Sequence, residues 1–210
     1  MKLILLGAPG AGKGTQSEII AGRLSIPIIS TGNILKEAVR EGTKLGNKAK
    51  SFMDEGSLVP DDIIIGIISE RLSCEDCIDG FILDGFPRTI EQAKALENMG
   101  VEIDKVISLE VPDEAIVERM SGRRICPTCG ASYHIAFKQP KNDGLCDKCN
   151  VPLIIRSDDE AATVKHRLDV YHEVTEQLKD FYQKKGKLRE VMGAGAVADV
   201  TRATLQALEV

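Results

Sequence analysis

The stretch GAPGAGKGT, residues 7–15, follows the wholly apolar run LILL at 3–6 and precedes a segment, 14–24, with helical patterning. A short apolar run that ends in glycine is the mark of a strand buried on both faces of a parallel sheet. A glycine-rich turn between such a strand and a helix is the context a phosphate-binding loop needs. Glycines at 7, 10, 12 and 14 let backbone N–H groups turn inward onto phosphate oxygens. The helix N-terminus adds its positive end, and Lys13 adds a mobile point charge. In the general loop pattern the residue after the lysine is Ser or Thr and holds Mg2+. Here it is Gly14, with Thr15 one place later. Mg2+ is therefore expected on the nucleotide phosphates and water, with Asp84, at the end of a later strand, as its anchor.

Outward from this loop, further short strands are predicted at 26–29, 80–83, 106–111 and 188–192. Between them come a polar helical stretch at 31–56 broken near 41–43, and a helix opened by Pro60-Asp61-Asp62. Next is a helix to Met99 opened by the capping-box pair Thr89 and Gln92. Others run from Pro112 to Gly122, over 159–185 as one long helix, and over 197–208. Strands alternating with helices define an α/β fold: a parallel sheet flanked by helices, with ligands at the carboxyl ends of the strands. Residues 30–59 and 123–158 do not fit the alternation and are read as insertions. The core is then 1–29, 60–122 and 159–210.

A formal net charge of −5 and 4% aromatic residues with no Trp argue against a nucleic-acid binder, which needs a basic surface and stacking side chains. The N-terminal apolar run is too short for a signal-peptide core, and no stretch approaches a membrane span. A cytosolic protein with reduced thiols is expected, so its six cysteines are read as metal ligands or buried thiols rather than disulfides.

Three motifs in order, GAPGAGKGT, STG at 30–32 and DGFPRT at 84–89, resemble the adenylate kinase family of nucleoside monophosphate kinases over essentially the whole chain. The resemblance implies a P-loop nucleotide kinase fold. It gives 30–59 the role of an NMP-binding flap, and 123–158 that of a zinc-bearing lid over ATP. It implies a monomer that converts ATP and AMP into two ADP with Mg2+. Around ATP it would place Gly10, Ala11, Gly12, Lys13, Gly14, Thr15, Arg119, Arg123, Ser132, Tyr133 and Gly195. Around AMP it would place Thr31, Lys36, Met53, Ser57, Leu58, Val59, Gly85, Phe86, Pro87, Arg88 and Gln92. Arg156 and Arg167 would straddle both nucleotides. The chain departs from the family's STGDxLR pattern: STGNILK has Asn33 for aspartate and Lys36 for the arginine that grips the AMP phosphate. Lysine keeps the charge and loses the two-pronged fork.

Phosphoryl transfer needs in-line positioning and cations against the moving charge, with no general base. With these needs, the resemblance implies the catalytic set Lys13, Arg88, Arg123, Arg156 and Arg167, and His134, His166 and His172 receive no catalytic role. Arg119 and Arg123, four apart on a helix end, repel unless an anion lies between them. Gln92 can either cap its helix or bind adenine. Cys126, Cys129, Cys146 and Cys149 form two Cys-x-x-Cys pairs separated by 16 residues, the spacing of a closed four-thiolate zinc site that is structural rather than catalytic. Iron suits the same ligands. Cys74 and Cys77, a third such pair, have no further ligands nearby and are read as incidental, with Cys77 buried. A zinc-ribbon nucleic-acid-binding ATPase is the competing reading, and a kinase with another acceptor is the second.

Overall fold

The structure, a computed structural model, describes residues 1–156 and 158–210. β1 (Lys2–Gly7) leads through the glycine loop into α1 (Lys13–Leu24), and β2 (Ile28–Ser30) follows. α2 (Thr31–Arg40) and α3 (Lys44–Glu55) make up most of the first insertion, and α4 (Asp61–Leu72) returns to the core. β3 (Phe81–Asp84), α5 (Ile90–Asn98), β4 (Lys105–Glu110) and α6 (Asp113–Gly122) complete the alternation before the second insertion. That insertion holds the antiparallel pair β5 (Arg123–Ile125) and β6 (Ser132–His134). α7 (Ala161–Val170), α8 (Gln177–Gln183), β7 (Leu188–Met192) and α9 (Val197–Leu208) close the chain.

The main sheet is parallel, in the order β2-β3-β1-β4-β7. Period-two alternation splits each strand between two apolar layers. Ile4, Leu6, Leu83 and Val106 face one layer with Ile64, Ile68, Leu96 and Leu178. Leu3, Leu5, Ile82, Ile107 and Leu109 face the other with Ile20, Ile116, Leu168 and Val200. Because helices cover both faces, the strands carry little polar alternation, which is why they were visible as apolar runs. Register pairs Ser30 with Asp84 and Leu5 with Asp84, so the ends of β2, β3 and β1 open onto one crevice.

The long helix expected over 159–185 is broken. A π turn, Tyr171–Thr175, separates α7 from α8, closed by the Glu176 N–H donating to the Tyr171 carbonyl at 2.9 Å. Among the described residues no helix is long and apolar enough to cross a membrane.

Candidate active site

The glycine loop turns through left-handed backbone at Gly10 (φ 84°) and Gly12 (φ 101°). At Gly10 space also matters: a Cβ there would lie 2.8 Å from Met120 Sδ of α6. Lys13 Nζ donates to the carbonyls of Gly7 at 2.6 Å and Ala8 at 2.8 Å. Burial pulls its pKa down to about 8, opposed by Asp84 and aided by Arg88, Arg167 and Arg123. The Asp84 carboxylate stands beside the start of α1, 3.9 Å from where a Cβ on Gly14 would sit.

Two cavities open around this loop. The larger, about 790 Å³, is lined by every residue of the expected ATP set, from Gly10–Thr15 through Arg119, Arg123, Ser132 and Tyr133 to Gly195. The smaller, about 480 Å³, is lined by Thr31, Lys36, Met53, Ser57, Leu58, Val59, Gly85, Arg88, Gln92, Arg156 and Arg167. Lys36, Arg88, Arg156 and Arg167 line both, together with Gly32, Gly56, Leu58, Gly85 and Ile125, so every charged side chain in the shared wall is a cation.

Two members of the expected AMP set lie elsewhere. The Phe86 side chain is fully buried in the core layer, and Pro87 lines the larger cavity. Gln92 turns out to be committed within the protein. Its N–H is capped by Thr89 Oγ1 at 3.1 Å, its Oε1 accepts from the Arg88 N–H at 2.7 Å, and its Nε2 donates to Asp61 at 2.7 Å. Tyr133 lines its cavity, yet its hydroxyl is tied within the second insertion, accepting from the Asp147 N–H at 2.8 Å.

The arginines are held by carboxylates that sequence reasoning missed. Arg123 forks onto Asp159, whose side chain is fully buried, with Nε at 2.7 Å. Arg156 forks onto Asp158, and Arg167 Nη1 donates to the Asp158 carboxylate at 2.8 Å. Arg119 instead donates to the Gly193 carbonyl at 2.8 Å, and it lines the larger cavity together with Arg123. Burial alone would raise the Asp158 carboxyl, but the hydrogen bonds and charge of Arg156, with Arg167 and Lys36, hold it at about 2. Lys36 points into the same cluster. Burial first, then Arg156, lower it to about 8 against the pull of Asp158. Lys13, Lys36, Arg88, Arg123, Arg156 and Arg167 thus face Asp84, Asp158 and Asp159, a surplus of positive charge that an anion would relieve.

Further residues unsignalled by motif also line the larger cavity, His134 and Phe137 among them, with ring centroids 4.5 Å apart. His134 Nδ1 accepts from the N–H groups of Ala136 and Phe137, which leaves Nε2 to donate to the Arg119 carbonyl at 3.1 Å. Burial pushes this ring below the usual histidine range, in keeping with a neutral, structural imidazole.

The sulfurs of Cys126, Cys129, Cys146 and Cys149 all lie within 4.8 Å of one another. A tetrahedron of thiolates about 2.3 Å from zinc spaces its sulfurs by roughly 3.8 Å, and Cys129 Sγ lies 3.6 Å from Cys146 Sγ. The two halves repeat one turn: Gly130 N–H donates to the Cys126 carbonyl at 3.0 Å, and Asn150 N–H to the Cys146 carbonyl at 2.8 Å. Gly130 and Asn150 both take positive φ, 72° and 53°, the conformation glycine and asparagine tolerate best. The donor set fits a closed thiolate site for a metal ion.

A phosphate loop under a parallel sheet, two cavities and a cationic wall between them define a phosphotransferase that holds two phosphate-bearing ligands head to head. The family model for adenylate kinase matches residues 5–187. The chain is 57% identical to the adenylate kinase of Caldicellulosiruptor bescii, over 99% of each chain. It is 51% identical to that of Acetivibrio thermocellus, over 99% of this chain and 98% of the relative. It is 55% identical to that of Oceanobacillus iheyensis, over 92% of each. The chain belongs to the adenylate kinase family.

Proposed function

We propose that the chain catalyses reversible phosphoryl transfer from ATP to AMP, giving two ADP. The observation that carries this is the shared wall: Lys36, Arg88, Arg156 and Arg167 face both cavities, where two sets of phosphates would meet. ATP takes the larger cavity, its phosphates on the loop N–H groups of 10–15 and on Lys13, its base toward Arg119, Ser132, Tyr133 and Gly195. AMP takes the smaller, bounded by Thr31, Met53, Ser57, Leu58 and Val59, its phosphate toward Lys36, Arg88, Arg156 and Arg167. Phe86 and Gln92 support that site by packing and by fixing the Arg88 backbone.

An AMP phosphate oxygen attacks the γ-phosphorus, the bond to the β,γ-bridging oxygen breaks, and ADP leaves. The attacking oxygen is already anionic, so no base is required. Asp158 and Asp159 hold the arginine forks in place, which lowers the cost of ordering them when phosphates arrive. The carboxylate of Asp84 beside the loop fits a water-mediated hold on Mg2+, whose charge, when bound, offsets that on the β- and γ-phosphates. The four lid cysteines fit structural Zn2+. We further infer three moving parts: the core, the flap 30–59 and the lid 123–158. The protein would act as a cytoplasmic monomer without nucleic-acid or membrane partners.

The test is transfer from Mg-ATP to AMP, GMP, CMP and UMP in turn. Strong preference for AMP is expected. Preference for another acceptor would overturn the AMP assignment and point to Asn33 and Lys36 as a re-tuned site.

A further inference from the structure

The turn that follows α4 carries a cysteine pair, Cys74 and Cys77, that phosphoryl transfer does not use. Cys74 is exposed, whereas Cys77 is 3% exposed and packed in the core. The Cys77 N–H donates to the Cys74 carbonyl at 3.0 Å, closing a single turn. A turn of this kind brings its end Cα atoms within about 7 Å, and cysteines bridge at Cα spacings of about 4.4–6.8 Å. The turn therefore holds the two backbones in the range of spacings a disulfide spans.

The surroundings of the buried sulfur are built. Arg71 Nη1 lies 3.1 Å from Cys77 Sγ, and the same guanidinium grips Asp76 with contacts of 2.7 and 2.6 Å. Cys77 Sγ also lies 3.6 Å from Asp76 Oδ1. A fixed cation, itself held by the Asp76 carboxylate, is thus in place to stabilise a thiolate. Burial pushes the Cys77 thiol up, which keeps it protonated at rest. An outer sulfur that can meet a reagent, backed by an inner one that only the first can reach, is the asymmetry dithiol exchange requires. The spacing alone made this pair look incidental, and the Arg71 contact is what changes the reading.

We propose that Cys74 and Cys77 form a redox-active dithiol, independent of the lid cysteines, that reduces small-molecule disulfides and closes to an internal disulfide. The Cys74 thiolate, its proton released to solvent, attacks one sulfur of RS–SR. The Cys74–SR bond forms, the S–S bond of the reagent breaks, and RS⁻ leaves and takes up a proton. Cys77, beside the Arg71 guanidinium, then attacks Cys74 Sγ as a thiolate. The Cys74–Cys77 bond forms, the second RS⁻ leaves, and it takes up the proton that Cys77 gives up. The two cysteines lose two electrons in all, and the reagent gains them as two thiols.

The experiment exposes the zinc-loaded protein to glutathione disulfide and maps the peptides by mass spectrometry. In the wild type the peptide spanning 74–77 should lose two hydrogens and carry no glutathione. Cys77→Ala, which keeps the buried position apolar, should stop with one glutathione on Cys74. Cys74→Ser should leave Cys77 unmodified. Transfer activity, measured on each variant before treatment, should match the wild type, because neither cysteine lines either of the two cavities of the site. The proposal is overturned if the wild type keeps both thiols free, or if it accumulates a lasting glutathione adduct on Cys74 as Cys77→Ala does.

Discussion

The two insertions flank the same cationic wall and are stabilised in different ways. In the 30–59 segment Leu35, Ala49 and Val59 are buried, and they belong to the same apolar layer as Ile4 and Leu83 of the sheet. α2 and α3 pack so closely that a Cβ on Gly46 would lie 2.1 Å from the Ala38 carbonyl oxygen, and Thr43 Oγ1 caps α3 by accepting from the Gly46 N–H at 3.0 Å. The 123–158 segment has a separate cluster, Cys126, Tyr133 and Cys146 with Ala131, Cys149, Val151 and Leu153 around them. Its larger apolar groups Ile135, Phe137, Ile154 and Ile155 are about half exposed or more. The flap draws on the hydrophobic effect of the whole domain. The 123–158 segment, the proposed lid, buries less, and the metal proposed on its four cysteines would supply the cross-link. Its ties outward include Lys138 to Glu18 at 3.2 Å and Arg40 Nη1 to the Thr128 carbonyl at 3.4 Å, exposed contacts that are cheap to break.

The largest expected effect follows from that separation. Chelating the lid metal, or changing Cys146→Ser, should unfold the lid, since metal binding supplies on the order of 10 kcal/mol of folding free energy in small zinc modules. Transfer should fall at least ~100-fold, the scale of losing a preorganised charge donor, because Arg123 and Arg156 lie at the lid's two ends. The core's thermal transition should barely move. Hydrogen exchange by segment, alongside a coupled assay, checks both. Loss of protection in the core sheet would show that the lid is not separable.

The flap should fail the other way. In Gly46→Val the backbones of α2 and α3 must part. An overpacked buried contact of this kind costs about 2–4 kcal/mol, enough to lower a global melting temperature by roughly 5–15 °C. One cooperative transition shifted as a whole is expected. A second, flap-only transition would break the contrast.

A smaller effect sharpens the comparison where the insertions meet. Lys36 comes from the 30–59 segment and Arg156 from the 123–158 segment. With its pKa lowered to about 8, Lys36 loses its charge as pH rises through that value. kcat/KM for AMP, which reports the free acceptor site, should then fall several-fold (~3–10) between pH 7.5 and 9. Lys36→Arg should flatten the profile. Lys13 titrates in the same window, so the comparison is made at saturating Mg-ATP, where phosphates surround Lys13.

Much of this was legible in the sequence for a physical reason. A strand buried on both faces must be largely apolar, so β1, β3 and β4 stood out, and thiolate geometry fixes cysteine spacing closely enough to mark the cluster of four sulfurs. Asp158 and Asp159 were not legible. Two carboxylates before a helix look like ordinary helix-start residues, and their partners lie as far as 36 positions away, as Arg123 does from Asp159. Phe86 shows the opposite error: it sits inside the most specific motif of the chain, yet its side chain is core. The π turn at Tyr171–Thr175 leaves the apolar period of its helix nearly intact, so periodicity passed over it.

That π turn carries the smallest prediction, at the lid's anchorage on the core. α6 runs directly into β5, and His172 ties the start of α6 to the turn. Its Nδ1 lies 2.8 Å from Glu176, and its Nε2 lies 3.1 Å from both carboxylate oxygens of Asp113. The hydrogen bond to Glu176 raises its pKa first, partial burial opposes, and Asp113 adds to the rise. A histidine whose folded pKa exceeds the unfolded value, near 6.5, binds its proton more tightly when folded. Its contribution is therefore complete below about pH 6.5 and is lost as pH climbs through the raised value. The side chain is 42% exposed, so solvent screening limits that contribution to about 0.5–1 kcal/mol. His172→Gln should cost that much at pH 6 and almost nothing at pH 8.5, measured by denaturant titration at both. An equal loss at the two pH values would mean that the side chain acts by packing, and that the lid's anchorage is not held by charge.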